Sequence, residues 1–179
     1  MSGFECNCES LEDLRTRSGK WIPYNKGGEF RKWYGNNDFV ISFDEDSYLI
    51  MLNQGNHLPS RQLYFKSSIT WSKVSSGVIA FRYKPKGGAF DVAGTSIFGD
   101  EDYLKYIQAL CNSSLIMTIA GMLSPTLNFE VGQISLYPVI KSDTLKNDVI
   151  KLVDRVRHYS TVDYDTSEVS WDFAQHPLV

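Results

Sequence analysis

The stretch with the most chemistry in its side chains is Lys20 to Gly35, KWIPYNKGGEFRKWYG. Trp21, Tyr24, Phe30, Trp33 and Tyr34 supply flat rings, and Lys20, Lys26, Arg31 and Lys32 supply cations, against a single acid, Glu29. Cations interleaved with rings suit a nucleic acid, where phosphates take the charge and bases take the stacking. The Gly27-Gly28 pair allows positive φ and a close backbone approach to a ligand. The same pattern also suits a strand–turn–strand whose rings are core and whose lysines are solvated.

Charge distribution favours the first reading. The chain has 179 residues and a net charge of −3, but the charge is segregated. Residues 14–35 carry six bases against Glu29, a net +5. Residues 60–90 carry Arg61, Lys66, Lys73, Arg82, Lys84 and Lys86 with no acid, a net +6. Acids dominate residues 1–13, 36–59 and 91–179. For a nucleic-acid binder the clustering of basic charge matters more than its sum.

Other chemistries lack their residues. There is no G-x-x-x-x-G-K-[ST], no G-x-S-x-G and no H-E-x-x-H, which excludes a P-loop, a nucleophile elbow and a zincin helix. The adenine-methyltransferase tetrapeptide, Asn or Asp followed by Pro-Pro-Tyr or Pro-Pro-Phe, is absent. No catalytic residue is therefore expected. Three cysteines without a secretion signal argue against a disulfide framework. Cys6 and Cys8 read as loose thiols near a frayed end, and Cys111 as a core residue that makes no thiol–base pair with His158. His57, His158 and His176 are scattered, so no metal site is expected. With no long apolar run and no leader, the expected location is the cytoplasm, away from any membrane.

The elements that must position these residues follow from periodicity. Residues 9–17 read as a short helix. Lys20–Tyr24, Phe39–Phe43, Tyr64–Trp71, Val78–Tyr83 and Ala89–Ala93 read as strands, with Phe30–Tyr34 a strand or helical turn. Asp44-Glu45-Asp46 reads as an acidic turn, and Tyr48–Leu52 as strand or helix. Asp100 is a candidate N-cap, and Leu104, Ile107, Cys111 and Leu115 form one helical face. Asn112-Ser113-Ser114 marks a break, with Ser113 capping a second helix. Thr126–Phe129 and Gln133–Val139 read as strands joined through Gly132. From Asp143 a last amphipathic helix carries Leu145, Val149, Leu152, Val153 and Val156 and ends near Arg157-His158. The fold class is α+β: bent, mostly antiparallel sheets with side-packed helices.

Four ordered blocks carry a resemblance: Lys20–Asn36, Tyr64–Phe98, Ser124–Val139 (SPTLNFEVGQISLYPV) and Asp163–Leu178 (DYDTSEVSWDFAQHPL). Together they resemble the C-terminal part of the PglX-type adenine-specific DNA methyltransferases of the BREX phage-defence system. That family is related to the fused restriction–methylation enzymes and to TaqI-type methyltransferases. The resemblance implies a target-recognition domain of the TaqI or type I specificity kind over residues 17–140. Residues 1–16 would be a linker or helix end, and residues 141–179 a helix and tail leading into a further helical segment. It implies double-stranded DNA as partner, together with the parent's methyltransferase domain and other defence-complex subunits. S-adenosylmethionine would bind in the parent and not in this chain. The residues expected at DNA are Lys26, Gly27, Gly28, Arg31, Lys32, Trp33 and Tyr34 from the first block. From the second they are Lys66, Thr70, Trp71, Lys73, Arg82, Lys84 and Lys86. Lys66, Lys73, Lys84 and Lys86 would hold phosphates, and Arg31 to Tyr34 would enter a groove. The alternative is a protein-interaction module with its exposed rings as anchors.

Overall fold

The structure, a computed structural model, describes residues 3–55, 58–75, 77–124, 128–176 and 178. His57, Thr126 and Leu127 lie outside the described residues, so the expected strand at Thr126–Phe129 is covered only from Asn128.

The chain opens with α1 (Leu11–Thr16), whose N-cap Ser10 Oγ accepts from the Asp13 amide at 3.1 Å. Strand β1 (Trp21–Asn25) pairs antiparallel with β2 (Val40–Ser42) and parallel with β5 (Ala89–Phe90). Helix α2 (Glu45–Asn53) lies between β2 and a 3₁₀ turn at Arg61–Leu63. A second sheet has β3 (Ser68–Thr70) at its centre, antiparallel to β4 (Arg82–Lys84) and β6 (Ser96–Ile97). Then come α3 (Glu101–Cys111), α4 (Ser114–Leu123), the short α5 (Val131–Ile134) and α6 (Lys146–Asp165). This is the expected α+β class, and among the described residues the two small sheets stay open.

Side chains that cap backbone set the helix starts. Asp100 accepts from the Tyr103 amide at 2.9 Å and Ser113 from Ile116 at 3.3 Å, which begins α3 and α4 where the sequence places them. The acids at 44–46 are no turn. Asp44 accepts from the Ser47 amide at 3.0 Å, and Glu45 and Asp46 complement the α2 dipole from its first turn. At 130–134, Glu130 and Gln133 close a capping box, so Gln133–Ile134 are helical where a strand is expected.

Strands are shorter than the sequence suggests, because side-chain amides take over backbone pairing. Asn112 Oδ1 accepts from the Phe81 N–H at 3.1 Å, and its Nδ2 donates to the Phe81 carbonyl at 2.8 Å. That amide stands in for a neighbouring strand, and regular pairing in this stretch begins only at Arg82. After Phe90, Asp91 Oδ1 accepts from Ala93 and Gly94 at 2.8 and 3.1 Å, which turns the chain and ends β5. Residues 64–67 precede β3 as irregular backbone, with Phe65 at φ +65.

The apolar residues sort into two clusters. One joins Ile69, Trp71, Phe81, Leu104, Ile107, Cys111 and Ile116. The other joins Cys8, Leu14, Ile22, Phe43, Tyr64, Phe65 and Ala89. Cys111 is buried as expected, and burial pushes its thiol up to about 12. Cys8 is no loose thiol but a fully buried core residue. The α3 stripe stops at Cys111. The chain bends by 70° between α3 and α4, so Leu115 turns to solvent and Ile116 takes the inward position. No single helix among the described residues is long and apolar enough to cross a membrane. Helix α6 packs along α3 and runs past the expected end at His158 to Asp165.

Gly87 has φ +99, and a Cβ there would stand 2.2 Å from the Cys6 carbonyl oxygen. Gly87→Ala should therefore destabilise by at least about 2 kcal/mol, lowering Tm by roughly 4–8 °C. A methyl group on Gly121 in α4 would meet nothing within 4 Å beyond the helix's own turns. Gly121→Ala should stabilise by about 0.5–1 kcal/mol. Thermal unfolding of both variants checks the pair, and equal shifts would contradict the contacts described.

Candidate nucleic-acid interface

The loop that follows β1 is built on unusual backbone angles. Gly27, Gly28, Trp33, Gly35 and Asn36 all have positive φ. A side chain on Gly27 would meet the Ala93 carbonyl at 2.8 Å, so glycine permits the close approach of this loop to residues 72–93. Asn36 Nδ2 donates to the Glu29 carbonyl at 2.8 Å and ties the loop's two limbs.

The two basic blocks are joined through this loop. Ser72 Oγ donates to the Gly28 carbonyl at 2.7 Å. The Trp33 amide donates to Phe81 O at 3.1 Å, and the Tyr83 amide donates to Trp33 O at 2.8 Å. This single bridge, Trp33 to Arg82, is all the regular pairing that the expected strand at Phe30–Tyr34 makes. Beneath it, Asn25 Nδ2 donates to Thr70 Oγ1 at 2.7 Å and to Gly94 O at 2.9 Å, and Thr70 Oγ1 donates to Thr95 O at 2.8 Å.

The expected contact residues divide by burial. Thr70 is buried in that network, and Trp71 is core, its indole N–H donating to Phe129 O at 2.9 Å. Both hold structure and present nothing to solvent. Arg82 is 1% exposed and Lys84 6%. They sit two apart on β4 and so lie on one face. Arg82 Nη2 donates to Ser72 Oγ at 3.3 Å, and its Nε has no hydrogen-bond partner among the described residues. Lys84 Nζ donates to Asn37 Oδ1 at 2.9 Å and lies 5.5 Å from the Trp171 ring centre. Burial, with Arg31 adding repulsion, pushes the Arg82 guanidinium down to about 10. Burial, with Arg82 adding repulsion, pushes the Lys84 amine down to about 8, and Asp38 opposes both shifts. A lysine so enclosed is not the exposed surface cation that the sequence suggests.

The remaining cations reach solvent. Lys26 is exposed, 5.7 Å from the Phe39 ring centre. Lys32 is half-buried. Arg31 is also half-buried and stacks its guanidinium 5.3 Å from the centre of the Tyr164 ring. Tyr34 meets the same ring edge-on at 5.8 Å, and burial pushes its phenol up to about 12. Lys73 pairs with Glu130 at 3.1 Å. Lys86 pairs with Glu9 at 2.6 Å, beside the exposed Lys66, where all three line one cavity. The two blocks thus meet in space, but their exposed charge is split. Lys26, Arg31 and Lys32 belong to the loop, while Lys66 and Lys86 neighbour Glu9.

The loop's own supports come from far along the chain. Tyr164, on α6, accepts from the Asn37 amide at 3.1 Å and donates to Asp38 Oδ1 at 2.5 Å. Gln108 Nε2 donates to Trp33 O at 2.9 Å. Arg157 donates through Nε to Gln108 Oε1 at 2.6 Å and through Nη1 to Glu101 at 2.5 Å, and lies 4.0 Å from the Tyr83 ring centre. Arg157 is therefore a buried brace. A buried-face position for Arg157 and Tyr164 follows from their spacing to Val153, at four and eleven residues, once α6 is allowed to run that far.

Lys84 carries a pH dependence of stability. Below about pH 8 both folded and unfolded chains hold its proton, and burial of the charge costs stability in full. Between about pH 8 and the ordinary lysine range only the unfolded chain binds it, so this cost is relieved as pH rises. The relief amounts to about 3 kcal/mol at most. In Lys84→Met it is absent. Urea unfolding of both proteins at pH 7.5 and 10 should show the stability difference moving in favour of the native chain by roughly 2–3 kcal/mol. A difference that does not change with pH would contradict the enclosure of the amine.

No family model matches the chain. Two curated proteins do. The chain is 35% identical over 178 residues to the adenine-specific methyltransferase BrxX of Escherichia coli O9:H4 (strain HS), covering 98% of this chain and 14% of that protein. It is 35% identical over 171 residues to the adenine-specific methyltransferase PglX of Lacticaseibacillus casei (strain Zhang), covering 91% of this chain and 14% of that protein. The chain is thus homologous, over nearly all its length, to one segment of the BrxX and PglX adenine-specific methyltransferases, a segment that makes up 14% of each.

Proposed function

We propose that this chain is the DNA target-recognition segment of a site-specific adenine-N6 methyltransferase used in BREX-type phage defence. The observation that carries the reading is the braced loop Lys26–Tyr34. It presents cations and rings on a backbone fixed by Gly28–Ser72 and Trp33–Phe81 contacts, within a segment homologous to adenine-specific methyltransferases. An enzyme that methylates a base extrudes it from the stack and needs a second surface to grip the duplex and read its neighbours. A loop whose shape is set before binding loses little entropy on docking.

The roles divide along the exposure already described. In this reading Lys26 and Lys32 hold phosphates, with Lys66 and Lys86 as a second contact. Arg31, stacked on Tyr164, keeps a planar fork that matches guanine O6 and N7. Trp33 and Tyr34 are half-buried and orient it. Arg82 and Lys84 act from beneath by charge and by loop support. The chemistry belongs to the parent's methyltransferase domain, where S-adenosylmethionine supplies the methyl group. The parent's duplex, that catalytic domain and other defence-complex subunits are the partners this reading implies.

A second reading rests on α6. Leu145, Leu152 and Tyr159 are spaced by seven residues, and all are more than half exposed. A partner helix laid along this stripe would bury it. Such a docking role is compatible with DNA recognition by the braced loop.

Methylome sequencing of cells carrying the parent enzyme tests the main reading. Arg31→Ala should relax or change the methylated sites, with a discrimination loss of about 1–3 kcal/mol at one base pair. Lys26→Ala should weaken binding to cognate and scrambled duplexes alike and reduce the salt slope by about 0.9. Circular dichroism and Tm of each variant control for folding. An unchanged site preference in a folded Arg31→Ala enzyme would leave Arg31 as scaffold for Tyr164.

A further inference from the structure

A recess of about 150 Å³ opens beside Lys84, walled by Tyr34, Asn37 and Trp171 with Lys86 and Asp172 also lining it. Its most telling feature is a charge imbalance. Buried charges in proteins are paired or bound to a counter-ion. Arg157 obeys this through Glu101. Arg82 and Lys84, both buried and on one face of β4, form no ion pair with a carboxylate among the described residues. The acid that offsets them, Asp38, already accepts from Tyr164. Arg31 adds a further positive charge beside Arg82.

Lys84 has the geometry of a ligand-binding amine. One of its three N–H groups is taken by Asn37 Oδ1, the hydrogen bond given above, and its Nζ also faces the Trp171 ring. Lys86, in the same recess, is already neutralised by Glu9. Asp172 is exposed and is the unfavourable group for an anion there. The volume is too small for a nucleotide as a whole and ample for one tetrahedral oxyanion.

We propose that this recess binds a phosphate-type oxyanion, which completes the coordination of Lys84 and balances the Arg82–Lys84 pair. The inference goes beyond the DNA-recognition reading, because a free phosphate group satisfies it as well as a phosphate of a DNA strand. Two sources are therefore distinguished by the test.

The 179-residue chain is titrated with inorganic phosphate against potassium chloride at matched ionic strength, followed by thermal unfolding and calorimetry. A saturable rise in Tm specific to phosphate is expected, lost in Lys84→Met and reached at several-fold lower phosphate in Asp172→Asn. The gain in Asp172→Asn cannot arise from damage to the fold, so it stands even if Lys84→Met folds poorly. A second arm uses a short duplex without terminal phosphates. If the duplex displaces phosphate, and Lys84→Met removes that competition, the backbone is the source. If phosphate binds and the duplex does not compete, the source is a free phosphate group, whatever becomes of the DNA-recognition reading. If neither produces a saturable effect, or if phosphate binds Lys84→Met and Asp172→Asn with native affinity, the proposal is overturned.

Discussion

Gln108 holds the molecule's two halves in register. It is fully buried, and its carboxamide has a partner on each side. The oxygen accepts from Arg157 on α6, and the nitrogen donates to the carbonyls of Trp33 and Phe81 at 2.9 and 3.3 Å. One side chain thus connects the last helix, the central helix, the irregular loop and the edge of a sheet. Leaving such buried groups unpaired would cost about 1–3 kcal/mol each. The network is polar because irregular backbone runs through the interior, and every carbonyl and amide there needs a partner. Asn25, Asn36 and Asn112 do the same work for the carbonyls of Gly94, Glu29 and Phe81.

That division explains what was legible in the sequence. The starts of α3 and α4 were, because an N-cap is a contact between residues three apart. The same logic, applied to Asp44 and Glu130, would have found α2 and α5; strand-forming neighbours drew attention away from both caps. Strand lengths were not legible. Phe81 looks like a strand residue, and its pairing partner is a side chain 31 residues later. Leu115 continues the α3 period on paper and leaves it in space, because the 70° bend resets the phase.

The candidate interface was legible in part. Charge blocking pointed to two segments that do meet. Burial was the missing information. Phe81-Arg82-Tyr83-Lys84 alternates on a strand, so Arg82 and Lys84 share a face, and that face turns toward the loop and the tail. A cation in a basic block reads as solvated until the topology encloses it. Thr70 and Trp71 were drawn toward the surface by neighbouring lysines, yet their polar atoms answer to Asn25, Thr95 and Phe129. The resemblance to adenine-specific methyltransferases came through four ordered blocks, and these include most of the loop, every strand but β2, and the end of α6.

Tyr164 anchors Asn37 and Asp38 across 127 and 126 residues of chain. During synthesis, at about 5–20 residues per second, the loop emerges roughly 6–25 s before the tyrosine that fixes it. Arg31 waits for the same ring. In that interval the loop can gain its contacts to Ser72, Phe81 and Gln108, while its Asn37–Asp38 end still lacks the tyrosine. The loop is complete only when α6 has left the ribosome, so this surface takes its final form well after the loop itself is made.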